Sequence, residues 1–143
     1  MQSKNINFLI TDILRLMRRE YRKSDLGMTP MQARALVYVS RNEGIRQVAL
    51  AELLDIQPIT LARLIDQLVS DGLVERKADP KDRRANALFL TKQATTWLIE
   101  IDKEIQRVRS KALQGLSEEQ IQAAMEVMNK MHENLANDSL PDT

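Results

Sequence analysis

A group of side chains in the middle of the chain carries groups that suit recognition of nucleic-acid bases. Ile59, Arg63 and Gln67 follow each other at intervals of four residues, so a helix would place them on one face, with Thr60 on its flank. A guanidinium binds guanine, an amide binds adenine, and an apolar group contacts a thymine methyl. An ordinary solvated helix face has the same composition, so the pattern alone is not decisive. The opposite side is apolar and consists of Leu61, Leu64, Ile65 and Leu68.

Basic residues are concentrated a little further along, where positions 76–84 hold five cations and two anions. Arg83 and Arg84 follow a turn in this cluster, and an inserted Arg suits the narrow, negative minor groove of A·T-rich DNA. We expect Asp82 to pair with Arg84 and to hold that side chain extended. Lys81 is expected to contact phosphate. A solvated charged loop is the alternative interpretation.

Two further polar residues are candidates for phosphate contacts. Gln47 lies near the start of a predicted helix, where its amide and its backbone N–H can meet a phosphate oxygen. Arg76 carries a positive charge that either contacts a phosphate or stays in water. Both residues extend the candidate surface beyond the helix face and the charged turn.

The hydrophobic spacing predicts the scaffold that positions these residues. A helix over 47–55, a connection at 55–57 and a helix over 58–71 form a helix-turn-helix, with Gln57 and Pro58 at the start of the second helix. The short connection forces a large crossing angle between the two helices. The second helix can therefore project into a major groove while the first braces it.

A change of period after this helix predicts a β-hairpin. Strands are expected over 73–77 and 87–90, with a loop of roughly eight to ten residues whose Asp79-Pro80-Lys81-Asp82 segment is typical of a type I turn. A further helix is expected to begin at Thr29-Pro30, ahead of the helix-turn-helix. Residues 29–91 are thus predicted to form a winged helix-turn-helix.

Long amphipathic helices flank this unit. One is expected over 6–23 and two more within 92–137, with N-caps at Thr91 and Ser117. Their apolar stripes are too extensive for the core of so small a monomer. The predicted fold class is mainly α with a small β-hairpin wing, in a single domain over 1–143.

Composition excludes several classes of function. The chain has 143 residues, no Cys and one His, which rules out disulfides, thiolate metal sites and a His-rich metal site. Aromatic residues make up 3%, too few for a surface that stacks single-stranded bases. No apolar run approaches the length of a membrane span, and the first residues lack a secretion signal. We therefore expect a soluble cytoplasmic protein with no metal, no cofactor and no membrane partner.

Several segments match one known pattern in order and spacing. The most specific part is Asp82-Arg83-Arg84 followed by Leu88-Phe89-Leu90-Thr91. Together, the matches resemble the MarR family of transcription regulators, and specifically its SlyA-like branch, over nearly the whole chain. The resemblance implies a homodimer that binds a pseudo-palindromic operator in double-stranded DNA, as a repressor or anti-silencer. The other matching segments are 48–54, 57–58, 63–68 and 72–74.

The resemblance also implies roles for individual residues. Arg63 matches the Arg of the family's recognition helix, Arg84 matches its wing-tip Arg, and Asp82 matches the acid that steadies that Arg. The first helix (6–23) and the last two helices (92–137) would form the dimer interface. The expected interface residues are Ile6, Leu9, Ile13, Val108, Leu116, Ile121, Met125 and Met128.

Effector control is a further implication of the resemblance. Many members bind phenolic or other aromatic anions in a cleft between the dimer helices and the winged helix, and this weakens DNA binding. We expect such an effector here, whereas thiol sensing is excluded because the chain has no Cys. The candidate lining residues are Arg15, Met17, Arg18, Tyr21, Tyr38 and Trp97.

Two other functions remain open at this point. One is a winged-helix module for protein interaction or DNA architecture, without ligand control. A protein-interaction module that does not bind DNA would be indifferent to loss of Arg63 and Arg84. An enzyme is disfavoured, because His132 has no suggestive Ser or Cys partner and no Gly-rich phosphate loop is apparent. A DNA-binding regulator is favoured because the polar helix face, the tight turn and the basic hairpin occur together.

Overall fold

The computed structural model describes residues 5–137 of the chain. In this part of the chain, six α-helices and a three-stranded antiparallel sheet confirm the predicted fold class. Residues up to Val108 and residues from Arg109 onward form two compact units, and a single domain over 1–143 stays a prediction. The elements are α1 (Ile6–Arg22), α2 (Pro30–Arg41), β1 (Ile45–Arg46), α3 (Gln47–Leu54), α4 (Pro58–Ser70), β2 (Val74–Asp79), β3 (Asp82–Leu90), α5 (Ala94–Ala112) and α6 (Glu118–Ala136).

Apolar side chains from α2, α3, α4 and the sheet form the core of the first unit. In α4, Leu61, Ile65 and Leu68 are at most 1% exposed, as the helical spacing predicts, whereas Leu64 is half-buried. Burial of a Leu or Ile side chain contributes about 1.5–3 kcal/mol, so this face orients α4. The other fully buried side chains of this core include Leu36, Val39, Leu50, Leu54, Val74 and Leu88.

The predicted capping boxes are present at two helix starts. The Thr29 hydroxyl accepts a hydrogen bond from the Gln32 N–H (3.1 Å), and the Gln32 side chain accepts one from the Thr29 N–H (2.9 Å). Ser117 and Gln120 make the same reciprocal pair at the start of α6. These bonds satisfy N–H groups that have no partner within the helix.

The sheet has the order β1-β3-β2, and β1 is absent from the sequence analysis. Ile45 lies opposite Leu88, and Val74 lies opposite Leu90, with both pairs of strands antiparallel. A two-residue strand has no alternation that a sequence pattern can reveal, because its partner decides that it is a strand. The β1 strand ends directly at the start of α3 and so connects the helix-turn-helix to the sheet.

The expected loop of eight to ten residues is wrong. Strand β2 continues to Asp79 and β3 begins at Asp82, so only Pro80 and Lys81 lie between the strands. Backbone pairing extends along polar residues such as Asn86, which lies opposite Ala78. Interstrand hydrogen bonds require no apolar side chains, so the hairpin continues beyond the hydrophobic core.

Thr91 does not cap α5 as expected. Its hydroxyl donates to the Gly72 carbonyl (2.6 Å), and α5 begins three residues later, at Ala94. This bond joins the residue that follows β3 to Gly72, which lies two residues before β2. Thr91 therefore closes the base of the hairpin.

The second unit is described from Arg109 to Asn137 and contains the end of α5 and all of α6. No residue of α6 is buried, and Met125 and Met128 are both exposed. None of the helices in the described residues combines the length and hydrophobicity that a membrane crossing requires.

Candidate nucleic-acid interface

The connection between α3 and α4 is as short as predicted. Asp55 takes a left-handed conformation (φ 54°), and its N–H donates to the Glu52 carbonyl (3.1 Å). Asp tolerates this conformation better than β-branched residues do. Gln57 then returns to an extended conformation, and Pro58 starts α4 at the position where a helix needs no N–H donor. Three residues thus turn the chain between the two helices.

The outer face of α4 is accessible over its whole length. Ile59 is 64% exposed, and Arg63 and Gln67 are exposed on the same side. Gln67 donates from its amide to the Asp71 carboxylate (3.0 Å), which orients the amide along the helix. The remaining predicted residues at the start of this helix, Gln57, Pro58 and Thr60, are also exposed.

The wing tip is ordered by carboxylates that accept backbone N–H groups. Asp79 accepts from the N–H of Lys81 (2.8 Å), and Asp82 accepts from the N–H of Arg84 (3.0 Å). Asp82 was expected to pair with the Arg84 guanidinium. The hydrogen bond that the structure shows comes from the Arg84 backbone N–H instead. Lys81 and Arg84 are exposed, and the side chain of Arg83 lies outside the described set.

An ion pair that the sequence analysis missed ties the wing tip to the start of α3. Arg46 Nε lies 2.8 Å from Asp79 Oδ2, and the Asp79 side chain is only 13% exposed. The Lys81 N–H and the Arg46 guanidinium together hold the pKa of Asp79 below its usual value, and the same hydrogen bond raises the pKa of Arg46. The two residues are 33 positions apart, so no local spacing reveals the pair.

Gln47 and Arg76 contact each other instead of both facing solvent. Arg76 Nε donates to Gln47 Oε1 (3.0 Å), while Nη2 donates to the Ala62 carbonyl (3.1 Å) and forms an ion pair with Asp66 Oδ1 (2.6 Å). The Arg76 side chain is 26% exposed. Both residues were expected to contact phosphate, and the structure places them between β2, α3 and α4.

One predicted effector residue, Trp97, lines a cavity in the first unit. This cavity of about 310 Å³ is also lined by Met28, Leu73 and Asp71, among others, but by none of the other predicted residues. Arg15 forms an ion pair with Asp12 (2.7 Å). The remaining predicted residues are Met17 and Tyr21, which are half-buried, Arg18, which is exposed, and Tyr38, which lies 5.5 Å beneath Arg34.

An ion-pair cluster surrounds Tyr21, where α1 meets α5. Arg107 contacts the Glu20 carboxylate (3.3 Å) and the Glu104 carboxylate (2.8 Å). Burial raises the pKa of Tyr21, with Arg107 opposing the shift. The guanidinium is engaged by carboxylates on both helices, and this cluster belongs to the framework of the first unit.

Most residues expected at the dimer interface present apolar surface to solvent. In α1, Ile6, Leu9 and Ile13 are each close to half exposed. Val108 differs, because only 2% of it is exposed and it offers almost no surface to a second chain. The other members are Leu116, Met125 and Met128, which are exposed, and Ile121, which is half-buried.

The comparison with protein families gives a match over the winged part of the chain. The model of the MarR family matches residues 26–85. This segment contains α2, the helix-turn-helix, β2 and the tip of the wing. It therefore includes the exposed face of α4 and the residues that order the wing.

Solved structures extend the likeness to the whole fold. A MarR-family transcriptional regulator from Silicibacter pomeroyi is 24% identical, with a TM-score of 0.85 over 98% of this chain and 96% of the other. The transcriptional regulator SlyA is 29% identical, with a TM-score of 0.77 over 94% and 96%. The PcaV regulator from Streptomyces coelicolor, solved with its natural ligand, is 18% identical, with a TM-score of 0.73 over 93% and 95%. Residues 26–85 thus match the MarR family in sequence, and the described chain has the fold of the MarR-family transcriptional regulators.

Proposed function

We propose that this chain is a transcriptional regulator that binds a pseudo-palindromic operator in double-stranded DNA as a homodimer. The observation that carries the proposal is the exposed face of α4, where Ile59, Arg63 and Gln67 follow a three-residue turn and precede a basic wing. The match to the MarR family supports it, because members of that family are DNA-binding regulators. Placement within the SlyA-like branch is a finer proposal, supported by the 29% identity with SlyA.

In this proposal, α4 of each subunit enters a major groove and each wing reaches a flanking minor groove. Arg63 and Gln67 contact base edges, while Arg84 enters the minor groove. The centres of the two half-sites are expected about 10 base pairs apart, one turn of the duplex. Bound in this way, the protein represses by blocking polymerase, or relieves silencing by displacing a nucleoid protein.

The apolar surface of α1 and α6 supports the homodimer. Phe8 is 67% exposed, and Leu9 and Ile13 lie on the same helix with close to half of their surface in water. Met128 in α6 is 52% exposed. Apolar surface of this extent is typical of an interface with a second chain. Light scattering at micromolar concentration is expected to give twice the chain mass of 16.4 kDa, and a monomeric mass contradicts the dimer.

Effector control is the second part of the proposal. The PcaV structure with its natural ligand and the cavity beside Trp97 support a small aromatic effector that lowers DNA affinity. Asp71 also lines this cavity, and its carboxylate opposes a phenolic anion. Trp97 is the one Trp of the chain, so its fluorescence reports on the cavity directly. Salicylate is compared with neutral salicylamide for quenching of Trp97 fluorescence and for release of DNA. A stronger effect of salicylate supports a phenolic anion as the effector, and a stronger effect of salicylamide contradicts it.

Fluorescence anisotropy across a salt series tests DNA recognition. The protein is titrated against DNA from upstream of its own gene and against a scrambled duplex of equal length. We expect binding to the upstream DNA to be tighter by about 10³-fold or more, with a steep negative salt slope. Equal affinity for both duplexes favours an architectural role, and no binding at low salt favours a protein-interaction module.

A further inference from the structure

We infer that Arg76 is a positioning residue for the recognition helix and not a phosphate contact. The inference rests on the proposed DNA-binding function and concerns how α4 is held at the correct rotation. Arg76 lies on β2 and reaches two other elements, because Nε donates to Gln47 at the start of α3 and Nη2 donates to Ala62 and Asp66 in α4. A single guanidinium thus joins the wing to both helices of the helix-turn-helix.

The contacts in α4 bracket the residue that is proposed to contact a base. Ala62 immediately precedes Arg63, and Asp66 lies one helical turn beyond Ala62. A contact at both points restricts rotation of α4 about its own axis. A rotation of about 20° moves an atom about 5 Å from the axis by roughly 2 Å, which is enough to break a hydrogen bond to a base edge.

The chemistry of the guanidinium suits this role. Its N–H donors point in fixed directions in one plane, so three acceptors at defined positions lock the group, whereas an ammonium lacks this fork. Its charge is also balanced locally by the Asp66 carboxylate, 2.6 Å away. The neighbouring Lys77 side chain is 60% exposed, compared with 26% for Arg76. Arg76 is therefore less accessible than Lys77 for contact with a phosphate at the surface.

Arg76 also gives the two DNA-contacting regions a common frame. It pairs across the sheet with Leu88 of β3, the strand that begins at the wing tip. A shift of β2 against α4 would stretch the Arg76 contacts to Ala62 and Asp66. The separation between the major-groove and minor-groove contacts is thus set at this residue.

Substitutions of both partners distinguish positioning from phosphate binding. Arg76→Lys keeps the charge and removes the fork, so the ratio of operator to scrambled-DNA affinity is expected to fall about tenfold, the effect of losing about one aligned base contact. The salt slope is measured on Arg76→Gln, which removes the charge. Positioning leaves this slope unchanged, whereas loss of a phosphate contact lowers it by about 1. Lys77→Gln is the matched control, because it removes a charge from the next residue of the same strand and is expected to leave the affinity ratio unchanged.

Asp66→Asn separates the two models by the affinity for the operator. If Arg76 and Asp66 act only through charge, loss of a negative charge near DNA raises this affinity. Positioning predicts that the operator affinity falls relative to the affinity for scrambled DNA. Glu52→Gln, at an exposed acid of α3, controls for the change in charge. Gln47→Ala removes a single acceptor and supplies a milder variant if the others unfold, which thermal unfolding checks.

The outcomes separate this inference from the proposed function. A wild-type chain that does not prefer its operator removes the proposed function, and the positioning role falls with it. A wild-type chain that prefers its operator, combined with an Arg76→Lys variant that matches it, overturns the positioning role alone. A third outcome is that Arg76→Gln lowers the salt slope as much as Lys81→Gln does, with the affinity ratio unchanged. That result assigns Arg76 to a phosphate contact and overturns the positioning role.

Discussion

The outer face of α4 and the tip of the wing present similar polar groups but are held by different forces. Behind the α4 face lie Leu61 and Ile65, both fully buried. The wing tip depends on the carboxylates of Asp79 and Asp82, which accept backbone N–H groups, and on the ion pair between Asp79 and Arg46. Hydrophobic burial does not depend on the charge of a side chain. Charged contacts near the surface weaken when the salt concentration rises or when acid protonates the carboxylates. The recognition helix has this buried apolar face in addition to its ion pair with Arg76, and it is therefore expected to be the more robust of the two surfaces.

Loss of the apolar anchor of α4 is expected to have the largest effect. Leu61→Ala leaves a cavity in the core and lowers the free energy of unfolding by about 2–5 kcal/mol. Urea unfolding followed by circular dichroism measures this change. Leu53→Ala, at a residue that is 48% exposed on α3, serves as the control and is expected to cost much less. Equal losses for both variants contradict the importance of the buried face.

Loss of the guanidinium on the exposed face is expected to affect DNA affinity and not stability. Arg63→Ala weakens operator binding by about 1–3 kcal/mol and relaxes the preference at one base pair of each half-site. Anisotropy against a set of single-base operator variants measures both effects. An Arg63→Ala protein with the affinity and selectivity of the wild type removes α4 from the recognition surface.

Loss of the wing-tip guanidinium is expected to have a smaller effect that depends on the flanking sequence. Arg84→Ala costs about 1 kcal/mol, in the range of a single exposed charge contact, and mainly on A·T-rich flanks where the minor groove is narrow. Operators with A·T-rich and G·C-rich flanks are compared by anisotropy. The same loss on both flanks excludes insertion into the minor groove.

Acidification is expected to have the smallest effect on the wing, where it acts through Asp79. The folded-state pKa of Asp79 lies below its ordinary value of 3.8, so its contribution is present above that pH and is lost as the pH falls through the lowered pKa. The amide resonance of Lys81 in NMR spectra should titrate with a midpoint below 3.8, and Asp79→Asn should abolish this titration. A midpoint at or above the ordinary value contradicts the hydrogen bonds that Asp79 accepts from the Lys81 N–H and the Arg46 guanidinium.

The elements that depend on local spacing were predicted well. The apolar residues of α4, the capping box at Thr29 and the connection at 55–57 all act within a few residues, so the sequence alone defines them. The predicted loop in the wing was wrong because the cross-strand partner determines where pairing ends. For the same reason β1 was missed and Thr91 was assigned to the wrong element.

The candidate site shows the same division. Exposure of Ile59, Arg63 and Gln67 follows from the helical period, since the opposite face is apolar. The contact between Gln47 and Arg76 spans 29 residues, and neither residue type indicates its partner. Basic residues are typical of phosphate contacts, and only the packing of β2 against α4 changes that interpretation for Arg76.

Local residue spacing defines which segments become helices, which face of α4 is polar, and that a charged turn follows the recognition helix. These properties depend on interactions between residues a few positions apart, so they follow from the order of residues along the chain. The tertiary structure decided which charges face solvent and which hold the frame, as at Arg46 with Asp79 and at Arg76 with Asp66. Such pairs depend on distances through space, and only the folded chain brings residues that are far apart in sequence within hydrogen-bonding range.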